Sequence, residues 1–175
     1  MIELIVTISV ITLVTGIFIA NYKSNNRRTD LIMTAQKLVA DVRLAQNYSL
    51  GLARYGGSTS TNVPLGGWGV HFDLNSYGDN KYVIFADDNG DGAYDLSEAD
   101  PSLGAKVITL SSDIRIKEMS IGSLANVIFL PPDPVTTITN TVSTFDDLLI
   151  TLEDVNSLNT KTVKINFLGL VEVLD

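Results

Sequence analysis

The stretch MIELIVTISVITLVTGIFIA, residues 1–20, holds a single ionisable side chain, Glu3. About 20 apolar residues is the length of a helix that crosses a bilayer. Thr7, Ser9, Thr12 and Thr15 can return their hydroxyls to the helix backbone and so do not break it. A cleaved signal peptide would need a basic leading region and a small-residue cleavage site, and this stretch has neither. Polarity switches at NYKSNNRRTD, residues 21–30. Lys23, Arg27 and Arg28, read alone by the positive-inside rule, set the N-terminus outside.

The helical pattern continues beyond the apolar run. Leu31, Ala35, Leu38, Val42, Ala45 and Leu52 recur at spacings of three, four or seven, which makes an amphipathic stripe. Gln36, Arg43 and Asn47 lie opposite it, with Lys37 and Asp41 on its flank. No proline occurs from Met1 to Ala53, and Gly51 and the Gly56-Gly57 pair are the first strong stop signals. The expectation is one helix of roughly 75–80 Å. Residues 1–22 form its membrane-spanning half and residues 23–55 its one-sided half. Residues 56–175 form a β-rich globular domain.

In that domain the pattern changes to period two with turn punctuation. Strands are expected at 70–72, 81–85, 106–110, 114–119, 126–130, 148–152, 163–167 and 170–174. Pro131, Pro132 and Pro134 stop the fifth of these. PPDPVTTITNTV (residues 131–142) and NSLNTKT (156–162) read as loops, and PSLGAKVI (101–108) begins as one. Strands joined by short turns without helices indicate antiparallel sheet. The fold class is therefore α+β, with the stripe from Leu31 to Leu52 packed on the sheet.

The most chemically informative stretch is DDNGDGAYDLSE, residues 87–98. Asp87, Asn89, Asp91, Gly92 and Glu98 match the D-x-[DN]-x-[DN]-G-x5-E spacing of a calcium loop, with Asp95 at its ninth place. Calcium needs six to eight oxygens at about 2.3–2.6 Å. Alternate residues of a tight loop supply them, Ala93 offers its backbone carbonyl, and Glu98 can bind through both oxygens. A strand enters the loop, where an EF-hand would have a helix. The bland alternative is a solvated hairpin turn, in which Asp87, Asp88, Asp91, Asp95 and Glu98 repel one another. Calcium in a structural role is the expected cofactor.

Composition narrows the function further. The net charge is −8, a poor match for nucleic acid, whose affinity for proteins comes largely from Lys and Arg. There is no cysteine, hence no disulfide framework and no thiolate chemistry. The single histidine, His71, alternates with Val70 and Phe72 and reads as a solvent-face residue. Trp68 reads as core or a loop anchor. Asp146-Asp147 and Glu153-Asp154 read as solvated strand ends. No catalytic constellation is present, and no enzymatic activity is expected.

The run Met1-Ile2-Glu3-Leu4-Ile5-Val6-Thr7-Ile8-Ser9 resembles the N-terminus of type IV pilins and pseudopilins. Three further segments resemble the soluble domain of GspH/FimT-type minor pseudopilins. They are GGWGVHFDLNSYGDNKYVIFADDNGDGAYDLSE, VIFLPPDP and VKINFLGLVEV. In that family a prepilin peptidase removes a basic leader and the glutamate is the fifth mature residue. Glu3 aligns with it, so the resemblance implies a leader and two residues ahead of Met1, an N-terminus inside and a soluble domain outside. It further implies a pilin-like fold and filament assembly through the apolar helix, with Glu3 as the assembly residue. The implied partners are other pilin subunits, the prepilin peptidase, and the inner membrane before assembly. The filament would be a type IV pilus or a type II secretion pseudopilus. Some relatives bind DNA through C-terminal arginines, but FLGLVEVLD has none, so nucleic acid is not expected. The competing expectation is a membrane-anchored, calcium-dependent surface adhesin that never polymerises and has no use for Glu3.

Overall fold

The first fifty residues contain no proline, and in the computed structural model Ile2–Leu50 forms one continuous helix, α1. The structure describes residues 2–55, 62–99, 104–131 and 135–174. Met1, the Gly56-Gly57 pair, Pro132 and Pro134, all invoked above, lie outside them. At a rise of 1.5 Å per residue α1 is about 74 Å long. It ends sooner than Ala53. The amide of Ala53 donates to Tyr48 O at 2.8 Å, and Leu52 turns left-handed at φ 49°. Leu52, expected on the buried stripe, is therefore exposed beyond the helix end.

The two halves of α1 meet different surroundings. No residue of Ile2–Ile19 is buried by the rest of the chain, and this helix is long and apolar enough to cross a membrane. Thr7, Thr12 and Thr15 donate their hydroxyls to the carbonyls of Glu3, Ile8 and Ile11 at 2.5, 2.8 and 2.7 Å. Their polar groups are thereby satisfied within the helix, as an apolar environment requires. From Leu31 onward the stripe Leu31, Ala35, Leu38, Val42 and Ala45 is buried.

That stripe packs on two antiparallel sheets. The first has the order β3 (Lys106–Thr109), β2 (Lys81–Asp87), β1 (Gly67–Asp73), β5 (Leu124–Leu130), β6 (Val135–Thr139) and β7 (Thr144–Phe145). The second has the order β10 (Val171–Leu174), β9 (Thr160–Asn166), β8 (Asp147–Asp154) and β4 (Ile114–Met119). Trp68, Val70 and Phe72 of β1 point into one core with Ile150 and Leu152 of β8 and Val163 and Ile165 of β9. The Trp68 indole donates to Ala53 O at 2.9 Å and its ring sits 5.0 Å from that of Tyr48. It is a core residue that also pins the chain leaving the helix. The α+β class thus stands, with the helix lying across both sheets.

Three local expectations fail for identifiable reasons. The segment read as a loop after the prolines contains strand β6. Its threonines hide the alternation, and Thr136 and Ile138 are its buried members. Glu153 and Asp154 are buried, not solvated ends. Register places Arg115 of β4 opposite Glu153. The Arg115 guanidinium and Lys117 Nζ each reach the Glu153 carboxylate at 2.8 Å and hold its pKa below the ordinary glutamate value. Asp154 closes the β8–β9 turn by accepting from the amides of Asn156 and Ser157 at 2.8 and 3.2 Å. His71 is also buried, for a reason that belongs to the loop above it.

Because Ile2–Ile19 contributes nothing to the core, a chain shortened to begin at Asn25 is expected to keep its fold. Its melting temperature in detergent-free buffer should stay within a few degrees of that of the full chain in detergent. Circular dichroism and gel filtration check this. Aggregation or loss of the cooperative melt would mean that the apolar half supports the domain.

Candidate functional site

Strand β2 delivers Asp87 directly into the acidic loop, and the Gly66 amide donates to Asp87 O at 2.8 Å to fix the exit. The loop then folds around its own carboxylates. Asp87 accepts from the amides of Gly90 and Gly92 at 2.7 and 3.0 Å. Those glycines hold φ of 73° and 78°, a region costly to residues with a Cβ. Glu98 reaches back to accept from the amides of Asp88 and Asp95 at 2.9 and 3.4 Å. Asn89 donates through Nδ2 to Asp91 at 3.0 Å and to Asp95 at 3.2 Å. The amide of Ala93 donates to Asp91 Oδ1 at 2.9 Å. All six expected residues, Asp87, Asn89, Asp91, Ala93, Asp95 and Glu98, thus belong to one hydrogen-bonded loop.

Their environments differ. Asp87 is 1 % exposed and Glu98 2 %. Burial pushes the Asp87 carboxyl above the ordinary range, and neighbouring Asp91 adds to this, against the pull of the loop amides. Burial likewise drives Glu98 up to about 7, with the charges of Asp87 and Asp95 contributing. Asp95, at the loop's outer side, is held below the usual range by the Ser97 hydroxyl. The donor set is all oxygen, as a hard cation requires, and two of its buried carboxylates carry a penalty that a divalent cation would relieve. As placed, the carboxylates turn toward the loop amides. Among the described residues no group of three or more His, Cys, Asp or Glu side chains converges closely enough to hold a metal ion.

The loop is tied to the sheet by residues that its motif does not mark. Tyr94, eighth in the loop, lays its ring 4.6 Å from His71 and 5.1 Å from Phe85. Its hydroxyl lies 3.1 Å from that of Tyr77. These rings cover the outer face of β1 and β2 above Val83, Phe85 and Ile128. Alternation correctly set His71 opposite Val70 and Phe72, but that face is roofed by the loop. His71 is 4 % exposed, and its Nδ1 donates to Asn126 Oδ1 at 2.6 Å. Burial holds the ring's pKa below its ordinary value. On the loop's other side the Tyr55 hydroxyl donates to Asp88. An aromatic residue in an otherwise polar loop was the available signal for Tyr94. Tyr55 and Asn126 carry none in the sequence.

Glu3 stands apart from this site. It is exposed on the first turn of α1, and no hydrogen bond or ion pair engages its carboxylate among the described residues. Comparisons with family models, curated proteins and solved structures return no match.

Proposed function

We propose that this chain is a structural subunit, a minor pilin or pseudopilin of a type IV pilus or type II secretion filament. It is held in the inner membrane by the first half of α1 and assembles outside through that half. The observation that carries this is the division of α1. One unbroken helix has a second half whose stripe from Leu31 to Ala45 is buried on its own domain and a first half that no described residue buries. A bilayer satisfies that half in the monomer, and the same half of neighbouring subunits satisfies it in a filament. Glu3 is then paired in the filament, since intramembrane ionisable residues carry partners and function. The resemblance of MIELIVTIS to the pilin N-terminus supports the same reading.

Calcium completes the proposal as a structural ion of the acidic loop. Asp87, Asn89, Asp91, Asp95, Glu98 and the Ala93 carbonyl would hold it. The buried, like-charged pair Asp87 and Glu98 supports this part. Bound there, the ion would offset their repulsion and stiffen the loop that Tyr94 fastens to the sheet.

The test places a prepilin leader ahead of the chain and expresses it in a host with a filament system. Wild type is expected in the sheared filament fraction. Glu3→Ala is expected to remain in the membrane at equal abundance. Filament entry by both, or by neither, would remove the assembly reading and leave the non-polymerising surface adhesin.

A further inference from the structure

The β8–β9 turn meets α1 at Asn25 and Arg28, a short way along the helix from Ile19. Leu158, Asn159 and Lys161 line a groove with Asn25 and Arg28. Leu158 is 67 % exposed at φ 58°, a conformation that leucine rarely adopts. The turn is nonetheless rigid. The Leu158 amide donates to Asp154 O at 2.8 Å, the Asp154 amide to Asn159 O at 3.0 Å, and Asp154 caps the turn through its carboxylate. Leu158 shares its groove with Leu31 and Ile32 of the helix, yet most of its surface stays in solvent, at a position where glycine or asparagine would be unstrained. An apolar side chain held outward at a backbone cost motivates a functional explanation.

Charge and level supply one. The chain is net negative, yet Arg27, Arg28 and Lys161 all belong to this end of the domain. The carboxylates here are Asp30 on the helix, exposed Asp113, whose backbone carbonyl accepts from the Val155 amide at 2.9 Å, and Asp154, which is buried and held below its ordinary pKa. Burial opposes that shift, and the turn's hydrogen bonds and Arg27 outweigh it. Asn25 to Arg28 lie six to nine residues beyond Ile19, or about 9–14 Å along the axis. The headgroup layer extends roughly 5–8 Å past the hydrocarbon. An element packed roughly 10 Å from the axis drops by roughly 3 Å toward the bilayer at the ~20° tilt usual for spans. That brings the turn to the headgroups, within the Debye length of an anionic surface.

We propose that the β8–β9 turn is a foot resting on the membrane, with Leu158 in the headgroup layer and Arg28 and Lys161 beside anionic lipid phosphates. The foot sets the tilt and rotation of the domain on the bilayer. It rests on the reading that Ile2–Ile19 spans a membrane.

The sequence has no cysteine, so Leu158→Cys and, separately, Val14→Cys each accept one environment-sensitive fluorophore. The full chain is reconstituted into vesicles of phosphatidylcholine alone or mixed with phosphatidylglycerol, with brominated lipids as quenchers. The Val14 label is expected to be quenched in both. The Leu158 label is expected to shift to the blue and be quenched more strongly in the anionic vesicles. Arg28→Gln with Lys161→Gln, or high salt, should remove that difference. A quenched Val14 label beside a water-exposed Leu158 label would overturn the foot and keep the span. Equal quenching of the Leu158 label in both vesicle types would overturn the role of Arg28 and Lys161. An unquenched Val14 label would overturn the span and the foot together.

Discussion

Leu38→Ala, introduced into the chain beginning at Asn25, is expected to lower stability by about 2–5 kcal/mol, read as a fall in the guanidinium midpoint at unchanged slope. Leu38 is fully buried at the middle of the helical stripe, between Ala35 and Val42, which are also fully buried. The small Ala35 and Ala45 let the helix lie close over both sheets, and Leu38 fills the space between them. Truncating it removes transfer free energy and leaves a cavity that two sheets and a helix, each fixed by other contacts, can close only in part. Met33→Ala is the control on the same helix. Met33 is 61 % exposed, and its loss should stay within about 0.5 kcal/mol. Equal effects at the two positions would show that α1 does not dock by this face. The result bears on function because α1 is the only described link between the apolar half and the domain. Loosening Leu38 should free the domain from the spine without touching the membrane segment.

That link was legible in the sequence because both halves of α1 obey strong, long patterns. Ile2–Ile19 is uniformly apolar, and the stripe from Leu31 to Ala45 holds the helical period over several turns. Most strands were equally legible, as β1, β2, β5, β8 and β9 alternate or run apolar between turn residues. What failed shares one physical cause: burial supplied by another element. His71 sits on the face that alternation predicts, but Tyr94 returns from the loop to cover it. Glu153 would be solvated on an edge, but Arg115 and Lys117 of β4 lie beside it. Strand β6 is written largely in threonine, which satisfies a sheet as well as a loop. A local pattern shows which face a residue occupies, and long-range packing decides whether that face is wet. The acidic loop is the mixed case. Its spacing was plain from Asp87 to Glu98, while the depth of those two carboxylates depends on where the loop lies on the sheet.

That depth leads to the second large expectation. In chelator, the contribution of Glu98 to stability should be full below about pH 4.5 and lost as pH rises through about 7. The folded carboxyl keeps its proton to about 7, and an unfolded glutamate releases it near 4.5. In that window the native state binds more protons, so stability falls with rising pH. Asp87, also raised, adds with the same sign. His71 acts oppositely: its folded pKa lies below the ordinary 6.5, so its contribution grows with pH and is complete above that value. Glu98→Gln retains His71 and removes the carboxylate, and it should therefore gain stability relative to wild type as pH rises toward neutrality. Calcium should reverse the order. A site of roughly 0.1–1 mM affinity, typical of extracellular modules, adds about 1.4–2.7 kcal/mol at about 10 mM calcium. That amounts to roughly 3–10 °C in Tm for a chain of this size. Wild type should show this gain, with protons released on binding near neutral pH, and Glu98→Gln should lose most of it. Thermal melts across pH, with and without calcium, and calorimetry in buffers of different ionisation enthalpy make the measurement. A wild-type melt unmoved by millimolar calcium would remove the ion from the proposed function. The loop would then be a hairpin held by its own amides, with Glu98 keeping its proton up to about pH 7.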